Sequence, residues 1–276
     1  MSRASIQPVT GPLSTNGVAE QVFLMKHDIK FAGLVLAAGK GTRFASETGQ
    51  SFPKVLRPVL GRPMVAYVLD ALRGAGIEEI TLVVGFGADE VVREVGPSVS
   101  YVLQPEQKGS GHAVACVRDA FRDFDGGLIV MCGDSPLFTA QSVRRIADEH
   151  TRTEAAVTLA STVLDDPLGY GRIVRNTDGA IVGIVEEKCA SAAEKAIREV
   201  NGGAYAFDTR WLFGNIDKMA LNEAGEYNLT DMVRVAIEQR RRVSAVQCAS
   251  REVLGVNNPE QLVAVEEILR ACGDGG

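Results

Sequence analysis

From Phe31 onward, short apolar runs alternate with amphipathic stretches, and few folds accommodate that alternation. The runs are FAGLVLA (31–37), ITLVV (80–84), VSYVLQ (99–104) and LIVMC (128–132), which suit strands buried on both faces. A helical pattern starts near Pro63, with Met64, Val65, Val68, Leu69 and Leu72 on one face, and Gly74 and Gly76 stop it. Further helices are expected at about 88–95, 111–121 and 139–150. This is the signature of βαβ units with right-handed crossovers and a parallel sheet. Beyond residue 155 the pattern changes. AAVTLAST, GRIVRN, AIVGIVEE and GGAYAFD read as strands, with a turn at Asn176-Thr177-Asp178-Gly179. Helices near 229–241 and 259–271 flank a last strand, VSAVQC (243–248). The fold expected is α/β and doubly wound, with a first half at 31–150, a second at 151–272 and a flexible tail at 1–30 whose residues 18–26 form a short helix.

Composition removes several function classes. Acidic residues outnumber basic ones 35 to 29, a net charge of −6, which argues against a nucleic-acid-binding face. No stretch approaches the ~20 apolar residues of a membrane span, and the first 30 residues lack the apolar segment of a secretory signal. The five cysteines form no CxxC pair, which fits reduced thiols and a cytoplasmic protein.

Leu-Ala-Ala-Gly-Lys-Gly-Thr-Arg (36–43) leaves the carboxyl end of the first strand, the edge where open α/β sheets bind ligands. Gly39 and Gly41 let the backbone approach a phosphate, while Lys40 and Arg43 bring charge. Three readings stay open here: a dinucleotide fingerprint, although Phe44 stands where its third glycine belongs; a P-loop, although Gly41 follows Lys40; and an ordinary turn. Further on, Pro53 can fix the aim of Lys54.

Asp134 follows the strand LIVMC on the same edge, where a single carboxylate suits Mg2+ and equally suits a turn or helix cap. Asp123-Phe124-Asp125 has the spelling of a metal-binding D-x-D motif but precedes its strand, at the wrong edge, and reads as a turn. His112 reads as a structural residue of a helix start rather than a base.

Taken together, the motifs form a series. Leu36–Arg43, Pro53-Lys54-Val55-Leu56, Gly109-Ser110-Gly111-His112-Ala113 and Gly133-Asp134 are followed by Gly169-Tyr170-Gly171-Arg172-Ile173, Val185-Glu186-Glu187-Lys188, Leu229-Thr230-Asp231 and Gly255-Val256-Asn257-Asn258. The series resembles the sugar-1-phosphate nucleotidyltransferases, most closely the N-acetylglucosamine-1-phosphate uridylyltransferase (pyrophosphorylase) domain of the bifunctional GlmU type, over about residues 31–270. The resemblance implies the nucleotide-diphospho-sugar transferase fold, a Rossmann-like doubly wound mixed sheet. It implies that Leu36, Ala37, Ala38 and Gly39 line the nucleotide pocket, that Gln104, Gly109 and Ser110 read uracil, and that Arg43 and Lys54 act on the phosphates as the catalytic cations. Asp134 and Asn257 would hold Mg2+, and Gly171, Glu186 and Asn201 would face the sugar. The implied partners are UTP and a sugar-1-phosphate, with neither nucleic acid nor membrane.

There are departures from the family pattern. The loop between Arg43 and Lys54 is longer than usual, Cys132 stands where Tyr is common, Gly202 replaces a Thr, and Asn228 stands where a Tyr is common. Gly202 and Asn228 are expected to loosen the fit around the sugar's 2-substituent. The sequence contains no hexapeptide repeats, so no acetyltransferase activity is expected of these 276 residues. The alternatives are the same chemistry on another sugar-1-phosphate or nucleotide, such as glucose-1-phosphate, and a non-catalytic nucleotide-sugar-binding module. Intact Arg43, Lys54, Asp134 and Asn257 speak against the second.

Overall fold

The computed structural model describes residues 29–41, 44 and 52–273, so nearly all of the expected tail, its short helix at 18–26, and Arg43 lie outside the described residues. Strand β1 (Phe31–Ala37) is followed by a 3-10 turn at Lys54–Leu56 and a small hairpin, β2 (Pro58–Val59) and β3 (Arg62–Pro63), then by helix α1 (Met64–Gly74). The alternation continues through β4 (Ile80–Val84), α2 (Ala88–Val95), β5 (Ser100–Leu103), α3 (Ser110–Ala115), β6 (Gly127–Cys132) and α4 (Ala140–Thr153). The second half adds β7 (Val157–Val163), β8 (Arg172–Arg175), β9 (Ile181–Val185), α5 (Ala192–Lys195), β10 (Glu199–Asp208), α6 (Thr209–Asn215), α7 (Asp231–Glu238), β11 (Val243–Gln247) and α8 (Pro259–Gly273).

Nine strands form one mixed sheet in the order β11-β7-β10-β6-β1-β4-β5, with β8 on β10 and β9 on β8. The block β5-β4-β1-β6 is parallel, as the βαβ alternation requires. β10 runs antiparallel between β6 and β7, so the second half extends the same sheet. From β1 the chain builds β4 and β5 on one side, then crosses to β6 on the other. That reversal is the winding switch beside which α/β sheets bind ligands.

Both faces of β1 are covered, which explains its unbroken apolar run. Val35 packs with Val65, Val68 and Leu72 of α1 and with Val143 and Ile146 of α4. Leu34 packs on the opposite face with Val114, Met232, Val233 and Ala236.

Several expectations need correction. Lys30, the last residue of the expected tail, is tied to the sheet: its carbonyl accepts the Gly127 N–H (2.9 Å) and its Nζ pairs with Glu79 (2.6 Å). The β2–β3 hairpin was not legible, since its reversal places a leucine, Leu60, at φ 49° before Gly61 at 78°. The helix expected over 111–121 is a short α3 followed by a 3-10 turn at Arg118–Phe121. Helix α6 was missed because it follows β10 at once; its start is marked by Asp208, whose carboxylate accepts the Trp211 N–H (2.8 Å). The Asp123–Asp125 segment, in contrast, lies in the expected turn at the amino end of β6, where Asp125 pairs with Arg210 (2.9 Å).

Candidate active site

The carboxyl ends of β1 and β6 meet at the switch, joined by a hydrogen bond from Gly133 N–H to the Leu36 carbonyl (2.9 Å). A cleft of about 390 Å³ opens above them, lined among others by Leu36, Ala38, Gly39, Lys54, Gln104, Gly109, Ser110, Cys132 and Asp134. This volume falls in the range of small-molecule sites. Ala37 does not join the wall: strand alternation turns it into the core with Val35. Gly39 has open space where a Cβ would stand, whereas Gly41, at φ 59°, would bring a Cβ within 3.0 Å of Lys54 Cβ. The glycine loop therefore closes directly onto Lys54. A larger hollow of about 1170 Å³ lies at the other edge of the sheet, around Lys30, Ile77 and Arg152, and contains none of the motif residues.

Lys54 opens the 3-10 turn behind Pro53, whose ring fills the place that a side chain at Gly87 would need (2.3 Å from a built Cβ). The proline thus packs against the Gly87 backbone immediately before Lys54. Lys54 Nζ donates to Asn257 Oδ1 (2.9 Å) and pairs with the Asp134 carboxylate. Asn257 is fixed by its own N–H, which donates to Gln261 Oε1 of α8 (2.7 Å), and the neighbouring Val256 N–H donates to the Asp134 carbonyl (3.0 Å). Three residues from distant parts of the chain thus gather at one mouth of the cleft. Asp134 does not cap α4; Thr139 does, accepting the Ser142 N–H (3.2 Å).

The donor set fits Mg2+. A carboxylate and an amide oxygen, donor types that this ion takes, converge on one cation, the Lys54 ammonium. Among the described residues no three His, Cys, Asp or Glu side chains cluster in a way that could hold a metal by themselves. Phosphate oxygens and water would complete the shell, the usual arrangement for this ion. Cys132 adds no charge: burial and the nearby Asp134 push its thiol up to about 12, against the opposing pull of Lys54.

The opposite wall is built on Gln104 and the Gly109–Ala113 segment. The close approach that Gly109 and Gly111 allow is to protein, not only to a ligand. A Cβ on Gly109, at φ 92°, would lie 2.5 Å from the Tyr227 carbonyl, and one on Gly111 would lie 3.0 Å from it. Gly111 N–H donates to that carbonyl (2.8 Å), Tyr227 N–H donates to the Lys108 carbonyl (2.8 Å), and Ser110 Oγ accepts the Leu229 N–H (3.0 Å). The segment 226–229 therefore straps this wall, and it brings Glu226 into the cleft lining.

Comparison with known proteins follows the same lines. The nucleotidyl transferase family model matches residues 32–252. The chain belongs to this family. It is 42% identical over 244 residues to the bifunctional protein GlmU of Geobacillus thermodenitrificans, covering 88% of this chain and 52% of the relative. It is 43% identical over 249 residues to that of Syntrophotalea carbinolica, covering 89% and 52%. The chain thus spans about half the length of these curated relatives. A solved Bacillus anthracis protein, described as a glucose-1-phosphate thymidylyltransferase in complex with sucrose, shares the fold with a TM-score of 0.72 at 21% identity, over 87% of this chain and 95% of that one.

Beside the cleft of this nucleotidyl transferase, Gly171, Glu186 and Asn201 come together. The Gly171 carbonyl accepts the Asn201 N–H (2.9 Å), and a Cβ on Gly171 would lie 3.4 Å from a Glu186 carboxylate oxygen. Glu186 also accepts from Thr230 Oγ1 (3.0 Å). Buried Arg172 donates to Glu187 (2.6 Å), tying the glycine motif of β8 to the acidic motif after β9. The Asn201 amide is engaged within the protein, with Nδ2 donating to Tyr205 Oη (2.6 Å) and Oδ1 accepting the Gly203 N–H (3.2 Å). Tyr205 gave no sequence signal, since it reads as an ordinary core aromatic of a strand. The expected loosening at Gly202 is not found: a Cβ there would meet Val253 (2.8 Å) and Ala160 (3.1 Å) in the core.

Proposed function

We propose that this chain catalyses the Mg2+-dependent transfer of UMP from UTP to N-acetylglucosamine-1-phosphate, giving UDP-N-acetylglucosamine and pyrophosphate. The observation that carries the reading is the meeting of Lys54, Asp134 and Asn257 at the mouth of a cleft whose far wall is Gln104 and Gly109–Ser110. The relatives described as bifunctional GlmU support the choice of substrates. The free cysteines support a cytoplasmic setting.

The chemistry asks little of the side chains beyond alignment and charge. A sugar-1-phosphate brings its own nucleophilic oxygen, so no general base is needed. Lys54 and Arg43 would neutralise the charge that develops as pyrophosphate leaves, and Gly39 would let the phosphates approach the backbone. Asp134 and Asn257 would hold a Mg2+, whose charge would offset that of the phosphates. Lys54, held by Asp134 and Asn257 at the same mouth, would offer its ammonium to the phosphates. Gly171, Glu186 and Asn201 would orient the sugar, so that its phosphate oxygen lies in line with the α-phosphorus.

Pyrophosphate release over a grid of nucleoside triphosphates and sugar-1-phosphates tests this reading. UTP with N-acetylglucosamine-1-phosphate should give the highest kcat/KM. A tenfold preference for another pair would reassign the substrates, and no release from any pair would overturn the enzymatic reading.

A further inference from the structure

Behind the far wall of the cleft, Gln104, His112 and Cys116 form a hydrogen-bonded chain that phosphoryl chemistry does not use. Gln104 is 3% exposed, and its Nε2 lies 3.1 Å from the Gly109 carbonyl oxygen. A carbonyl can only accept, so this contact identifies which end of the amide is the NH2. The same nitrogen lies 3.1 Å from His112 Nδ1. Its second hydrogen goes there, which requires a lone pair on Nδ1 and hence a neutral ring protonated at Nε2. That Nε2 faces Cys116 Sγ at 3.9 Å, and sulfur can accept a weak hydrogen bond from it. Burial pushes the Cys116 thiol up, so the sulfur remains uncharged.

Both amide hydrogens of Gln104 are thus spent inside the protein, and Oε1 is what the side chain can offer the cleft it lines. An amide oxygen there matches a ring N–H, such as N3–H of uracil or thymine, and opposes the N3 lone pair of cytosine. Turning the amide over would set Oε1 against two acceptors, the Gly109 carbonyl and His112 Nδ1. We propose that His112 is a positioning residue for base selection: by accepting from Gln104 it locks the amide with its oxygen toward the nucleotide, so that pyrimidines carrying an N3–H are taken and cytosine is refused. The inference rests on the reading that the cleft takes the base of UTP.

Two measurements test it. A long-range proton–nitrogen correlation spectrum of the wild-type protein should show His112 in the Nε2–H tautomer, and an Nδ1–H tautomer would overturn the inference. Separately, kcat/KM for UTP and for CTP should be compared between wild type and His112→Ala. Removing the acceptor should reduce the UTP-to-CTP ratio about tenfold, mainly through a gain on CTP, the scale of one hydrogen bond. If His112→Ala unfolds, Cys116→Ala, which frees the tautomer, should lower the ratio in the same direction. A ratio unchanged in a folded His112→Ala variant would overturn the role of His112 while leaving UTP use standing. A wild-type enzyme that does not prefer UTP to CTP would overturn the reading of the base wall and the inference with it.

Discussion

Lys54 stands between two oxygens that a divalent cation would also seek, and this shapes what its removal should do. Lys54→Ala deletes a preorganised charge from the mouth of the cleft, where we propose the phosphates bind, and single-turnover transfer should slow by about 10²–10³-fold. A rate within threefold of wild type would count against the assignment. Gly109 makes a second prediction at this scale. At φ 92° and with the Tyr227 carbonyl 2.5 Å from a built Cβ, Gly109→Ala must move backbone. The expected loss is roughly 2 kcal/mol or more, read as a lower urea midpoint at unchanged slope. The sequence made Lys54, Asp134 and Gly109 legible because proline, strand end and glycine each leave a local mark. It could not show that Lys54 and Asn257 touch, nor that Gly109 and Gly111 admit the 226–229 strap, because those contacts are long-range. Tyr205, hydrogen-bonded to Asn201, left no mark at all.

Among elements, β8 and β9 are tied by the pairing of Arg172 with Glu187, which keeps Gly171 beside Glu186. Arg172→Ala removes the buried partner and should lower the urea midpoint, while Glu187 keeps solvent and Lys195. It should also raise KM for the sugar-1-phosphate more than it lowers kcat; an unchanged KM would show that the tie does not hold the sugar side. Helix α4 carries a pH-sensitive member. His150 is 4% exposed, its Nδ1 lies 3.1 Å from Thr158 Oγ1, and burial lowers its pKa from 6.5 to about 4, outweighing the nearby Asp208. The unfolded chain therefore takes up a proton below 6.5 that the folded one refuses until about 4. Stability from this group is flat above that window and falls through it as pH drops, by about 3 kcal/mol in all. His150→Gln should flatten denaturation midpoints between those two pH values, and an unaltered slope would contradict the assignment. Glu252 adds to acid sensitivity lower down. Burial raises its pKa, but hydrogen bonds from Ser142, Thr139 and the Ala249 N–H lower it by more, so its stabilisation is lost only as pH falls through that depressed value. The sequence showed most strands and helices here, because apolar periodicity is local. The polar ties of Arg172, His150 and Glu252 were not legible, because their partners come together only in the folded chain.

For the whole molecule, one mixed sheet aligns the ends of β1 and β6 so that the glycine loop, Lys54 and Asp134 share an edge. The fold class and the βαβ order were readable because helix and strand periods differ. The placing of β10 between β6 and β7, which joins the two halves into one sheet, was not, since pairing order leaves no periodic trace. Among the described residues no helix is long and apolar enough to cross a membrane. The decisive measurement is pyrophosphate release from UTP and N-acetylglucosamine-1-phosphate, followed as Mg2+ is titrated into wild type and Asp134→Asn. Wild type should be silent in excess EDTA and rise to saturation with the ion, while Asp134→Asn should stay at least about 10²-fold slower, since an amide cannot replace the carboxylate's charge. Full turnover in EDTA, or an unimpaired Asp134→Asn enzyme, would contradict the reading of this cleft as a metal-assisted nucleotidyl transfer site.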